Sequence, residues 1–290
     1  MSLLTGFAQT RSSWARLVET YDEVPDAYRS FFEARPELRD GPFPYVVFCP
    51  TYEGYFVTSS DVLLVGLEQY VYVLKRRRGQ VESVGFAYND ARCVERGAVL
   101  LKSWLTITGG TTEGDVRSAT IIFNTARESL ITPFIERLRP TPMGDSDRSA
   151  EQAKLASLLP ENYKMANLAR LGLRAGEGVR YILLQPERRV GGYSLLGQWV
   201  LGSYYPAHIS VLTQRELVTI RDEGRPGHKR YGTVWRYLPV DKIAGISQAA
   251  RPDGRLALVF DLQDMEPLEL GFSTEKQAEA EALQHLLSHA

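Results

Sequence analysis

The residues able to do chemistry in this chain fall into near misses and two surface clusters. Gly192-Tyr193-Ser194-Leu195-Leu196-Gly197 has the texture of a nucleophile elbow, but one residue too many separates its glycines. Gly172, Gly176 and Gly178 are not spaced to cradle a dinucleotide or a triphosphate. Of the four histidines, His285 and His289 stand at i, i+4, a spacing that suits a metal, yet no third ligand is near in sequence, and a solvated helix end is the expectation. Carboxylates are numerous and scattered, with no pair set apart for acid–base work. The expectation is therefore no catalytic residue, no metal and no cofactor.

The first surface cluster is Lys75-Arg76-Arg77-Arg78, ending at Gly79. Four adjacent cations repel one another, and a phosphate or lipid headgroup would offset that repulsion. The structural alternative is a solvated hairpin tip whose charge discourages edge pairing. The second cluster lies between Glu187 and Pro206. Arg188 and Arg189 precede Tyr193, Leu196, Trp199, Tyr204 and Tyr205. Cations beside aromatic rings suit a half-wet boundary, either a protein groove or a membrane interface. The alternative is a long connection folded back over its own domain. Lys75, Arg76, Arg77, Arg78, Arg188 and Arg189 are thus anion or lipid candidates. The aromatic set and Leu196 are partner or membrane contact candidates.

Composition narrows the classes. Apolar residues at 44% and charged residues at 24% are ordinary globular values, so the chain can bury a core. The 34 basic and 35 acidic residues are spread evenly, which gives no electrostatic reason to expect nucleic acid. Cys49 and Cys93 are too far apart for a redox or zinc pair, and two free thiols suit a reducing compartment. The first residues carry no basic segment before an apolar run, so no secretory signal is expected. Val190–Ala207 carries no charge, but its glycines, serines and proline dilute it too far for a membrane span. A cytoplasmic protein is expected, with the inner membrane face as a peripheral alternative.

The elements that would carry these clusters follow from periodicity. Trp14, Leu17, Val18 and Tyr21 share one face of a predicted helix within 11–35. Gly41-Pro42-Phe43-Pro44 breaks it. Strands are predicted at 46–48, 55–57, 62–66, 70–75, 84–88, 99–102, 104–108 and 118–123, with Gly109-Gly110 and Gly114-Asp115 as turn residues. A helix with Pro133 in its first turn comes next, bearing Ile131, Phe134, Ile135 and Leu138. Residues 140–149 read as a linker. A helical run carries Leu155, Leu158, Leu159, Met165, Leu168 and Leu171. Strands resume at 179–184, 209–212, 217–221, 234–238, 256–262 and 268–272, with Pro252-Asp253-Gly254 as a turn. Thr274 with Gln277 has the form of a capping box for a last helix that buries Ala278, Ala282, Leu283, Leu286 and Leu287.

Both halves share one order: hairpin, further strands, last hairpin, closing helix. The separation from Glu68 to Arg139 equals that from Arg215 to Leu286, as in an internal repeat. "SVLTQRELVTI" (Ser210 to Ile220), "VWRYLPVDKIAGI" (Val234 to Ile246) and "LELGFSTEKQAEAEALQHLL" (Leu268 to Leu287) resemble the opening hairpin, middle strand and closing helix of bacterial pleckstrin-homology-like (PH-like) domains. "VLLVGLEQYVYVLKR" and "FNTARESLITPFIERLR" resemble the same layout in the first half. The resemblance implies an α+β, mainly antiparallel fold. It would comprise a helical segment at 1–40, a first PH-like barrel at 41–140, a linker and helix at 141–173, and a second barrel at 174–290. Each barrel would be plugged by its C-terminal helix. The phosphoinositide site of eukaryotic PH domains uses a basic pattern in the loop after the first strand, whereas Lys75–Arg78 lies later, so that role does not carry over residue by residue. The function this implies is a non-enzymatic adaptor that binds a protein partner. Anionic lipid binding, and a small-ligand carrier or enzyme using an interdomain cleft, are the alternatives.

Overall fold

The computed structural model describes residues 14–51, 53–54, 57–142, 153–190, 193–195, 198–200, 203–222, 232–251 and 255–289. The fold is α+β with mostly antiparallel sheets. It divides into two compact units: residues 1–94 with 100–139, and residues 95–99 with 140–290.

In the first unit the strands are β1 (Arg16–Val18), β2 (Tyr45–Cys49), β3 (Glu53–Gly54), β4 (Val57–Thr58), β5 (Val62–Gly66), β6 (Tyr70–Arg77), β7 (Gln80–Val99), β8 (Lys102–Thr111) and β9 (Val116–Asn124). Helices α1 (Arg29–Glu33) and α2 (Pro36–Asp40) precede β2, and α3 (Thr132–Leu138) closes the unit. The sheet runs β1-β2-β5-β6-β7, with β8 on β7 and β9 on β8; β3 and β4 pair separately.

Of the helical reading of 11–35, the face from Trp14 to Tyr21 is not α-helical, while a second short apolar face, with Phe31 and Phe32, is helix at Arg29–Glu33. Residues 16–18 are extended and pair with β2, Leu17 opposite Val47. The i, i+3, i+4, i+7 spacing of Trp14, Leu17, Val18 and Tyr21 gives way to a sheet edge that satisfies the backbone, and helix forms only from Arg29. The segment joins the core: Val18, Val24, Tyr28, Phe31 and Phe32 pack with Val46, Leu63, Val65 and Leu74.

Three turns control the sheet. Arg78 and Gly79 have φ of 48° and 82° between the paired Arg77 and Gln80, the form of a two-residue type I′ hairpin. The strand expected at 99–102 is instead a tip, where Leu100 has φ of 54° and Leu100 and Leu101 are exposed. Gly109 and Gly110, expected in a turn, lie inside β8. There a Cβ on Gly109 would sit 2.5 Å from the Asp90 carbonyl oxygen, and one on Gly110 would sit 1.9 Å from the Asp90 carboxylate. Close approach to β7 is what requires those glycines; the turn itself uses Gly114 at φ 86°.

In the second unit, residues 153–156 are helical and lead into α4 (Leu159–Gly172). The strands are β10 (Tyr181–Gln185), β11 (Arg188–Val190), β12 (Tyr193–Leu195), β13 (Gln198–Val200), β14 (Ser203–Tyr205), β15 (His208–Leu212), β16 (Glu216–Asp222), β17 (Gly232–Pro239), β18 (Ile243–Ala250), β19 (Leu256–Leu262) and β20 (Leu268–Phe272), with α5 (Gln277–Ser288) last. One sheet runs β10-β15-β16-β17 and another β18-β19-β20, while β11 pairs β14 and β12 pairs β13. Thr213 closes the β15–β16 hairpin: its hydroxyl accepts from the Glu216 N–H at 3.0 Å and the Arg215 N–H at 3.3 Å.

Helix α4 packs on one face of the first sheet, where Gly172 lies against Trp235 and Ile220, and the Trp235 indole N–H donates to the Leu168 carbonyl at 3.4 Å. Helix α5 packs on the opposite face, where the Tyr181 hydroxyl donates to the Glu279 carbonyl at 3.1 Å. Strand β18 has no counterpart in the sequence prediction. Its Ala, Gly, Ser and Gln carry little strand preference, and pairing with β19 holds it, Ile246 opposite Phe260. The capping box at Thr274 is absent. Residues 274–276 form a 3-10 turn, α5 begins at Gln277, and it buries Ala280, Leu283 and Leu287 while Ala278 is exposed. The linker at 143–149 and the turn at 252–254 lie outside the described residues. Among the described residues no sheet closes into a barrel.

Candidate functional site

Strand alternation decides the fate of the cationic run. Along β6, Val73, Lys75 and Arg77 point to one face while Leu74 and Arg76 point to the other. Alternation therefore divides the run between the two faces of the strand. Arg76 stays half in solvent and pairs with Asp61 at 3.1 Å. Asp61 is buried, and its backbone carbonyl accepts the Tyr28 hydroxyl at 2.9 Å, which ties the pair to the core. Burial beside Asp61 pushes the Tyr28 phenol well above its ordinary pKa. Arg77 lies 3.8 Å from Glu82, and Arg78 takes the first place of the hairpin turn with its side chain exposed. Only Lys75 and Arg77 share a surface.

That surface is one wall of an open groove of about 400 Å³. Val73, Lys75 and Arg77 of β6, with Glu82 and Val84 of β7, form the wall. The other side is Arg117, Ser118, Ala119 and Thr120 of β9. Arg117 is held by Asp115 at 2.7 Å and Glu113 at 2.6 Å, both exposed, so these pairs add little stability. Sequence reasoning misses the groove's β9 side. Only the strand register brings it opposite β6, and no residue-type signal marks it.

A second, more apolar groove lies in the second unit. It encloses about 180 Å³ between the 153–156 turn and α4, lined by Leu155, Ala156, Leu159, Ala166, Asn167 and Arg170. Asn162 breaks the helix with φ −155° and caps the remainder of α4, its side chain accepting from the Met165 N–H at 3.0 Å. The break lifts Leu159 to the groove. Tyr163 (70% exposed) and Leu171 (67%) stand in solvent on the same helix.

The second sequence cluster is only partly described. Arg188 lies 3.6 Å from Glu275. Backbone pairing sets Arg189 opposite Tyr204 and Ser194 opposite Trp199. The side chains of Arg189, Tyr193, Ser194, Trp199, Tyr204 and Tyr205, and all of Leu196, lie outside the described residues.

The strongly perturbed groups sit in the interior. Burial pushes the Cys49 thiol up to about 12, so it is held as an inert thiol. Cys93, which is in no disulfide, is half-buried. His208 is buried on β15 and brought down to about 4, chiefly by desolvation and further by Arg221, against a bond to the Pro206 carbonyl that favours the cation. Neither residue lines either groove. His285 and His289 stack on one another at 4.3 Å, and the described residues hold no group of three or more His, Cys, Asp or Glu placed for a metal. No described helix is long and apolar enough to cross a membrane.

No protein-family model matches the chain, and no curated protein sequence matches it.

Proposed function

We propose that the chain is a non-enzymatic binding module that holds a protein partner, built from two PH-like units. The observation that carries the binding role is the apolar groove on α4, with Leu159 in its lining and Tyr163 and Leu171 exposed beside it. Large apolar side chains held in water beside a concave apolar surface support a docking site. Support for the PH-like reading comes from the second unit. Two antiparallel sheets precede a last helix, and that helix contacts β10, β18 and β19. The division of Lys75–Arg78 between an ion pair with Asp61, a groove wall and a turn favours a protein over an anionic lipid surface, which draws on several unpaired cations on one face.

Affinity capture from native lysate tests this, with the full chain and its Tyr163→Glu variant. Tyr163 comes directly after the Asn162 cap, where an acidic residue suits the helix start, so the fold should be unaffected. At least one protein held by the parent should be lost with Y163E and retained by an exposed control, Glu281→Lys. Identical captured sets for all three would rule out the α4 groove as the binding surface.

A further inference from the structure

We propose that the outer edge of β9 pairs with an extended, acidic segment of a partner protein, which lies in the groove beside β6. The proposal rests on the binding-module reading and names a second surface for it. Its starting point is the pattern of the groove's lining. The β6 and β7 residues in the wall alternate, as one face of a sheet must: Val73, Lys75, Arg77, then Glu82, Val84. The β9 residues do not alternate. Arg117, Ser118, Ala119 and Thr120 are consecutive. Only a strand presented edge-on lines a cavity with successive residues, so the backbone of β9 faces the groove.

The register says which backbone groups are offered. Thr111 donates its N–H to the Asp115 carbonyl at 2.8 Å, so Thr111 and Asp115 form a hydrogen-bonded pair. In an antiparallel ladder such pairs alternate with non-bonded ones. Gly109–Arg117 and Ile107–Ala119 are then bonded pairs, and Thr108–Ser118 and Thr106–Thr120 are not. Side-chain contacts agree, because non-bonded pairs bring side chains closer. The Thr106 and Thr120 hydroxyls are 2.9 Å apart, and the Thr108 hydroxyl donates to Ser118 Oγ at 3.1 Å. The N–H and C=O of Ser118 and Thr120 therefore point away from β8, into the groove. Among the described strands β9 pairs with β8 alone.

Natural sheets blunt such an edge with charged side chains, above all lysine, with proline, a bulge or a short strand. Val116–Asn124 has nine residues, no proline, an unbroken register with β8 and one charge, Arg117, at its turn end, where Glu113 and Asp115 pair it. A left-open edge beside a groove is what strand addition uses, the backbone giving affinity and the flanking side chains giving choice of partner. Four added residues span about 13 Å, which matches the stretch from Arg117 to Thr120. The wall across from the edge sets the charge. Lys75, Arg77 and Arg117 face a single carboxylate, Glu82, within the lining. Glu113 and Asp115 crowd Arg117 at the turn end, so the partner's acidic side chains belong at the Lys75 and Arg77 end.

The test selects peptides on the intact chain from a displayed library of random dodecapeptides, then measures their affinity and amide exchange. Selected peptides should be acidic and rich in β-branched residues. On binding them, the Ser118 and Thr120 amides should slow in exchange, while Arg117 and Ala119, already paired to β8, should not change. Ser118→Pro removes one outward N–H at an edge position that tolerates proline and should weaken binding at least tenfold. Ser118→Ala keeps that N–H and should weaken it less than threefold. Peptides that bind S118P as tightly as the parent overturn the proposal. Protection confined to 159–171 overturns it too, while leaving the binding module standing. A library that yields no binder counts against both.

Discussion

Replacing Phe32 by alanine is expected to remove about 3–5 kcal/mol from the stability of the first unit, the usual cost of deleting a fully enclosed aromatic ring. Phe32 has no exposed surface. It stacks on Phe43 at 5.5 Å and meets Phe31 and Tyr21 edge-on at 5.4 and 6.2 Å. These rings fasten residues 21–43 to Leu63, Val65 and Leu74 of the sheet. Denaturant titration should show a large fall in midpoint with F32A. Leu101→Ala, at an exposed hairpin tip, should stay within about 0.5 kcal/mol of the parent. A loss below about 1 kcal/mol for F32A would mean that the N-terminal segment is an appendage rather than part of the core.

Stability should also fall on mild acidification, through His208. Its ring lies 4.8 Å from Phe272, and its Nδ1–H serves the Pro206 carbonyl, which leaves Nε2 without a partner among the described residues. The folded pKa is brought from 6.5 to about 4. Between those values the unfolded chain binds the proton and the folded chain does not, so the unfolded state gains as pH falls. The neutral ring's contribution is complete above pH 6.5, is lost through the window down to about 4, and is gone below it. At pH 5 the deficit relative to pH 8 is about 2 kcal/mol for this single group. Urea midpoints at the two pH values measure it, and His208→Gln should remove most of the difference. A parent protein equally stable at pH 5 and pH 8 would show that the ring is solvated.

Legibility in the sequence tracks the strength of local signals. β5 reads as a strand because every residue in VLLVG is buried, and α3 because Pro133 and its apolar stripe agree. The β15–β16 hairpin is local, set by Thr213. Signals fail where tertiary structure overrides them. Leu17 and Val18 carry helical spacing yet pair with β2, and β18 is a strand with only Ile243 and Ile246 as strand-forming residues. Gly109 and Gly110 read as a turn because a close approach to Asp90 leaves no mark in sequence. Lys75–Arg78 is legible, but only as a cluster; alternation along β6 is what assigns Arg76 to Asp61 and Arg77 to the groove. The β9 side of that groove needs a register that no local pattern encodes.

The central claim is that this fold works by holding another protein on its surface. Photo-crosslinking in the native cell tests it most directly, with benzoylphenylalanine placed at Tyr163 and, as a control, at the exposed Glu281 on α5. A discrete protein adduct at position 163, absent at 281, is the expected result. Equal labelling at both positions, or none at either, would contradict it.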